Sequence, residues 1–247
     1  MKTIGVILRS AKLMSSVAAE AATNGLPMNN VIRLGEGPSL ASHAERAAAA
    51  ALLAGHVISV PTDTLYGIAA LAQNNTAIER IYEIKRRSST KPLAICVSEV
   101  DEVYLWGKVT VPHSLLTSLL PGPVTLVFQR TAQLNPALNP GTDLVGIRIP
   151  DEEFIRSVVK SCGSPLALTS ANISTKASPL CVEEFRELWS KLHTVFDGGP
   201  LGEHLKCREG STIIDLSQPG SYRLIRRGIA FEQTSEILQR YKLCLID

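Results

Sequence analysis

Four short polar stretches hold the residues of this sequence that could do chemistry. The first, Pro61-Thr62-Asp63-Thr64-Leu65-Tyr66-Gly67, sets two hydroxyls, a carboxylate and a phenol directly after the β-branched run Val57-Ile58-Ser59-Val60. The second is Lys85-Arg86-Arg87-Ser88-Ser89-Thr90-Lys91, closed by the helix-breaking Pro92. The third is Thr169-Ser170-Ala171-Asn172 and the fourth Ser211-Thr212-Ile213-Ile214-Asp215. Arg148 stands apart, a lone cation among the apolar residues of 144–149. Burying an unpaired arginine is prohibitively costly, so Arg148 must meet an anion, either an acidic side chain or a ligand. Lys85 follows Ile78, Ile81 and Tyr82 on one helical face, so it either snorkels outward or points into a cleft that needs a cation. Each stretch also has a plain structural reading. Residues 61–67 could be a capped turn, 85–87 a solvated helix end favoured by the helix dipole, and Ser170 and Asn172 a helix cap.

The elements that must position these stretches follow from the apolar pattern. A weak first strand is expected at 31–34. Ser39 or Ser42 can cap an Ala-rich helix running to Leu53, with Gly55 as its stop. The strand at 57–60 then opens into the first polar stretch, the kind of place where α/β proteins put ligands. Gly67 would let the backbone turn or approach a ligand closely. Thr76 is expected to cap the next helix. Strands follow at 93–97, 124–128, 144–149, 194–197, 211–216 and 222–225, and 165–168 leads into the third stretch. Helices are expected at 112–120, 151–161, 182–192 and 233–241. Strands and helices alternate without the regularity of a doubly wound sheet. Neither a Walker lysine loop nor Gly-x-Gly-x-x-Gly is present, so any nucleotide site is of another kind.

Composition bounds the answer. The chain has 247 residues, 45% of them hydrophobic, enough for a full core in one domain spanning 31–247. Residues 1–30 carry Lys2, Arg9 and Lys12 against the single acid Glu20. They read equally well as a mitochondrial transit peptide and as an ordinary flexible N-terminus, which leaves cytosol, mitochondria or both as the location. A net charge of +2 does not fit a general nucleic-acid binder, and 5% aromatic residues make no evident stacking platform. No run of 18 apolar residues could span a membrane. Cys96, Cys162, Cys181, Cys207 and Cys244 are scattered without zinc or redox spacing, as expected for free thiols in a reduced compartment. The five histidines sit in no recognisable constellation and read as surface or core residues.

Taken together and in order, the polar stretches resemble the YrdC family of threonylcarbamoyl-AMP synthases over about residues 31–228, closest to its animal members. The resemblance rests on Pro61-Thr-Asp-Thr-Leu-Tyr-Gly67, Lys85-Arg-Arg87, Lys91-Pro92-Leu93, Pro121-Gly-Pro123 and Gly146-Ile-Arg-Ile-Pro150. Further along it rests on Ser170-Ala-Asn172, Ser178-Pro179, Ser211-Thr212 and Arg226 ahead of Gly228. It implies an α/β fold: a twisted, open, mixed sheet, mostly parallel, flanked by helices around a large concave positive cavity. It implies a nucleotidyltransferase that makes threonylcarbamoyl-adenylate and pyrophosphate from L-threonine, bicarbonate and ATP. A separate transferase then passes the threonylcarbamoyl group to the tRNA adenosine beside the anticodon, and weak tRNA binding is a further expectation. By resemblance Lys85, Arg87, Ser170 and Asn172 are the catalytic set. Lys85, Arg87 and Lys91 face the phosphates of ATP, Ser170, Asn172 and Ser178 hydrogen-bond the nucleotide, and Arg226 closes over it. Arg148 takes the threonine carboxylate, with Thr64, Tyr66, Ser211 and Cys96 in the same amino-acid pocket. Mg²⁺ is expected as the counter-ion of the phosphates, with no protein cage of its own.

The chain also departs from the family pattern. Asp63 stands where Glu is frequent, Cys96 where many members have His, and Thr169 where Pro is frequent. Arg208-Glu209-Gly210 replaces Gly-Val-Glu before Ser211. The alternative function is a non-catalytic module binding tRNA or double-stranded RNA, and a third is a regulatory protein with a degenerate site. The modest charge counts against the second and the retained motif residues against the third.

Overall fold

In the computed structural model, residues 30–35, 37–86, 91–174, 176–202 and 208–246 are described, apart from the side chains of residues 38 and 39. The expectation for 1–30 therefore falls outside the described residues, Asn30 excepted. The strands are β1 (Val31–Arg33), β2 (Ile58–Val60), β3 (Gly67–Leu71), β4 (Ala94–Cys96), β5 (Gly107–Lys108), β6 (Val124–Arg130), β7 (Leu144–Arg148), β8 (Leu166–Ser170), β9 (Thr194–Asp197), β10 (Thr212–Asp215), β11 (Ser221–Arg226) and β12 (Cys244–Leu245). The α-helices are α1 (Pro38–Leu53), α2 (Asn75–Lys85), α3 (Val103–Trp106), α4 (His113–Leu119), α5 (Glu153–Cys162) and α6 (Phe231–Arg240). Among the described residues the strands form one open sheet in the order β1-β9-β2-β3-β8-β4-β7-β6-β10-β11-β12, with β5 beside β6.

This is the open, helix-flanked mixed sheet expected of the family. Its pairings are evenly mixed, five parallel and six antiparallel. Two features account for three of the six antiparallel pairings. The loop at 61–66 folds β3 back antiparallel on β2, and β8 inserts antiparallel to both β3 and β4.

Strand periodicity divides the core into two layers. On one face Ile68, Ile95, Leu126, Ile147 and Ile214 pack with Ile78 and Ile81 of α2, Leu115 and Leu116 of α4 and Leu238 of α6. On the other, Ile58, Val60, Ala69, Cys96 and Leu166 pack with Ala48 and Leu52 of α1 and Phe154, Ile155 and Val158 of α5.

Local differences from the sequence reading have physical causes. Strand β3 was not expected, because Ile68-Ala69-Ala70-Leu71 lacks β-branched enrichment; pairing on both edges with β2 and β8 makes it a strand. The cap of α2 is Asn74, whose side chain accepts from Ala77 N at 3.1 Å, and not Thr76. The 182–192 helix is instead a 3₁₀ element, Val182–Lys191, broken at Phe185 (φ −124°, ψ 28°). Glu152 caps α5 through Phe154 N and Ile155 N, and Gly163, at φ 59°, ends it.

Candidate active site

Seven adjacent strands supply one cleft of about 170 Å³. Ala94, Thr125, Arg148, Leu168 and Ile213 line it, each one residue from a core residue of the first layer, namely Ile95, Leu126, Ile147, Ala167 and Ile214. Alternation therefore puts the cleft on the other face of the sheet, the face that carries Cys96. Thr62 and Tyr66 border it from the loop before β3 and Gly67 from the start of that strand, Ser170 from the end of β8 and Ser178 from the segment beyond it, Ser211 from just before β10 and Arg226 from the end of β11. Gly146 keeps its floor open, since a Cβ there would lie 3.0 Å from Thr125 Cγ2. A larger cavity of about 330 Å³, lined by Ser98, Glu99, Glu153, Arg156 and Lys160 among others, contains none of the expected site residues.

Within the first stretch, Thr62 Oγ1 accepts from Thr64 N and Leu65 N and donates to Leu65 O at 2.7 Å. This hydroxyl-closed turn fixes Thr64 and Asp63 against Arg148. Arg148 is 8% exposed. Its Nη2 donates to Asp63 Oδ1 and, at 2.7 Å, to Thr64 Oγ1. The anion that its burial demands is thus an acidic side chain, while the guanidinium still lines the cleft.

Lys85 neither snorkels outward nor opens into the cleft: it points inward, is 1% exposed, and like Asn172 is not among the residues that line the cleft. Its Nζ donates to Ser170 O, to Asn172 O at 2.7 Å and to Asn172 Oδ1 at 3.3 Å. The cation holds the Ser170–Asn172 loop, and Ser170 Oγ donates to Asn172 Oδ1 at 2.5 Å. The plain helix-end reading is thereby excluded for Lys85. Arg86, at φ 48°, terminates α2 in the left-handed region. Arg87 lies outside the described residues, and Lys91 is exposed.

Tyr66 ties the cleft walls together. Its backbone N–H donates to Pro179 O at 3.1 Å and its carbonyl accepts from Ala171 N at 2.8 Å. Its hydroxyl donates to Gly199 O at 2.7 Å and accepts from Gly198 N at 2.9 Å, and burial pushes the phenol well above its usual range. Cys96 is fully buried in the layer under α1 and α5, so its thiol lies beside Arg148 but outside the cleft lining. Burial likewise raises that thiol far above its usual range, against the pull of Arg148.

At the other wall, Ser211 Oγ lies 2.8 Å from Thr125 Oγ1. Arg226 grips the same residue, with Nε and Nη2 donating to Ser211 O at 3.1 and 2.8 Å and Nη2 to Ser211 Oγ at 3.1 Å. Thr125 escaped the sequence reading because one threonine in a strand carries no motif. So did the clip formed by Arg208, which pairs two-pronged with Glu184 at 2.7 and 2.8 Å and donates to Ser178 O at 2.7 Å. That pair holds the Glu184 carboxyl below its usual range. The pair is distant in sequence, so no local signal announces it.

Fold and cleft together define a mixed-sheet α/β protein whose polar site runs across the middle of the sheet. A family model covering Sua5, YciO and YrdC, described as "Telomere recombination", matches residues 50–228, and the chain belongs to this family. It is 53% identical to the threonylcarbamoyl-AMP synthase of Bos taurus over 204 residues, 82% of this chain and 74% of that protein. The human threonylcarbamoyl-AMP synthase is 52% identical over 201 residues, 81% of this chain and 72% of that one. Among solved structures, Pyrococcus abyssi Sua5 in complex with L-threonine superposes with a TM-score of 0.76 at 28% identity, over 87% of this chain. This chain spans 62% of that Sua5 chain. Escherichia coli YciO, at 21% identity and a TM-score of 0.70, shares the fold over 81% of this chain and 94% of that one.

Proposed function

We propose that this chain makes threonylcarbamoyl-adenylate and pyrophosphate from L-threonine, bicarbonate and ATP, for modification of the tRNA adenosine beside the anticodon. The observation that carries the reading is one cleft in which Arg148, Arg226 and a group of hydroxyls converge, in a chain half identical to relatives named for this activity. The Sua5 complex with L-threonine supports an amino-acid site in the same fold.

The reaction joins threonine's amine to the carbon of bicarbonate with loss of water. An oxygen of the resulting carbamate then attacks the α-phosphorus of ATP, and pyrophosphate leaves. Every reactant but the amine is an anion, so the work is positioning and charge compensation more than proton transfer. Arg148 receives the threonine carboxylate, with Thr64, Thr125 and Ser211 supplying hydroxyls around it. Ser170, Asn172 and Ser178 hydrogen-bond the nucleotide, Lys85 holds their loop and adds a positive charge beneath it, and Arg226 closes over it. Arg87 and Lys91 complete the phosphate contacts. Tyr66 and Cys96 act as the frame of the amino-acid pocket, since the hydroxyl of one and the thiol of the other are turned elsewhere. Among the described residues no group of three or more His, Cys, Asp or Glu could hold a metal ion, so we assign Mg²⁺ to the phosphates of ATP.

The product passes to a separate transferase. Binding of tRNA in its own right is the weaker reading, because the net charge is only +2. Among the described residues no helix is long and apolar enough to cross a membrane. The basic, acid-poor composition of residues 1–30 supports a location in cytosol, mitochondria or both. The test is pyrophosphate release from ATP by the purified chain, with threonine and bicarbonate omitted in turn. Release that needs both is expected. Release that needs neither, or none at all, would overturn the proposal.

A further inference from the structure

Arg148 and Asp63 make their pair through a single guanidinium nitrogen, Nη2, which Thr64 Oγ1 shares. Arg148 Nε and Asp63 Oδ2 are both shut off from solvent with no hydrogen-bond partner in the structure. The two groups therefore do not form the two-bond fork that gives an arginine–carboxylate pair its greatest strength. Arg148 lines the cleft and Asp63 does not. The carboxylate compensates the guanidinium from off the cleft without covering it.

That construction matters in a cleft where anions of very different charge meet. Attraction to an uncompensated arginine grows in proportion to the charge of the ligand. Such an arginine would draw a triphosphate or pyrophosphate several times more strongly than the single carboxylate of an amino acid. A compensated arginine keeps its directional N–H donors but offers little net charge.

The geometry points to Asp63 as a positioning residue that sets specificity through Arg148: it reserves that arginine for one carboxylate and turns polyphosphates away. The inference rests on the proposed reading of the cleft as one that takes ATP and an amino acid together. It is distinct from the assignment of Arg148 itself, and it gives a role to a carboxylate that touches no substrate.

The experiment measures inhibition by inorganic pyrophosphate against threonine in the wild type, Asp63→Asn and Asp63→Glu, and pyrophosphate binding by calorimetric titration in these and in the double variant Asp63→Asn/Arg148→Met, which lacks the threonine contact. In Asp63→Asn, pyrophosphate is expected to compete with threonine about tenfold or more strongly than in the wild type. Asp63→Glu keeps the wild-type pattern, and the double variant loses the gain in binding. A rise in threonine KM with pyrophosphate inhibition unchanged would reduce Asp63 to a scaffold residue and overturn the inference. Retention of the gain in the double variant would overturn it too, by placing the new anion contact elsewhere. Asp63→Ser gives the same readout if Asp63→Asn does not fold. If the wild type shows no threonine-dependent turnover, the functional reading fails by itself. Calorimetric titration with pyrophosphate then decides the inference: tighter binding in Asp63→Asn that vanishes in the double variant supports it, and unchanged binding sinks it.

Discussion

Lys85 carries a full positive charge to a position 1% exposed, where two carbonyls and a side-chain oxygen receive it. A buried cation is tolerable only with such partners, and removing it strands the acceptors. Lys85→Met should therefore lower stability by about 3 kcal/mol, read as a shift in the urea midpoint. It should also cut turnover about a hundredfold, the scale of losing one electrostatic stabiliser. Unchanged turnover in folded protein would remove Lys85 from the machinery. At this scale the sequence was legible wherever a residue's type conflicted with its place. An arginine in an apolar strand announced a buried partner, and a lysine on an apolar helix face left a choice between an outward snorkel and a cleft. Which partner could not be read, because Asp63 lies 85 residues from Arg148 and Ser170 lies 85 from Lys85. The orientations of Tyr66 and Cys96 were equally hidden, since both depend on which face of a strand or loop meets the core.

Between elements, Gly228 lies close against the start of β10. A Cβ at Gly228 would fall 2.4 Å from Ser211 C and 2.5 Å from Thr212 N, both backbone atoms that cannot rotate away. Gly228→Ala must push Ser211 aside, along with the Arg226 and Thr125 contacts that meet there. We expect a loss of roughly 1–3 kcal/mol in stability. Threonine-dependent kcat/KM should fall by about a hundredfold, as for a reacting group displaced by about 1 Å. Asn74→Ala is the control: it removes the cap of α2, costs about 1 kcal/mol, and should leave kcat/KM alone. Thermal melts with pyrophosphate-release kinetics on both variants check the contrast. Elements with strong local signals, such as α1, α2, α5 and β7, were legible in the sequence. Strand β3 and the broken 3₁₀ element at Val182–Lys191 were not, because pairing and packing by distant segments decide them.

Across the whole molecule, the rings of His56 and His193 stack 4.2 Å apart, where the chain leaves α1 and enters β9. Burial lowers both pKa values; Arg80 adds to the shift at His56, and His56 adds to that at His193. The unfolded chain therefore binds more protons than the folded one near the ordinary histidine range. Stability is complete above that range and is lost as pH falls through it. Melting temperature should decline between about pH 7 and pH 5, and His193→Gln should flatten the slope; an unchanged slope would clear the pair of any such part.

The sheet order has a consequence for synthesis as well. The cleft draws on β3, β8, β4, β7, β6, β10 and β11, neighbours in space whose order in the chain is scrambled. Strand β10 lies between β6, far upstream, and β11, which follows it in the chain. On a ribosome, no emerging fragment that stops short of Arg226 contains every residue that lines the cleft. A ligand that needs the whole cleft can therefore stabilise this chain only once Arg226 is in place.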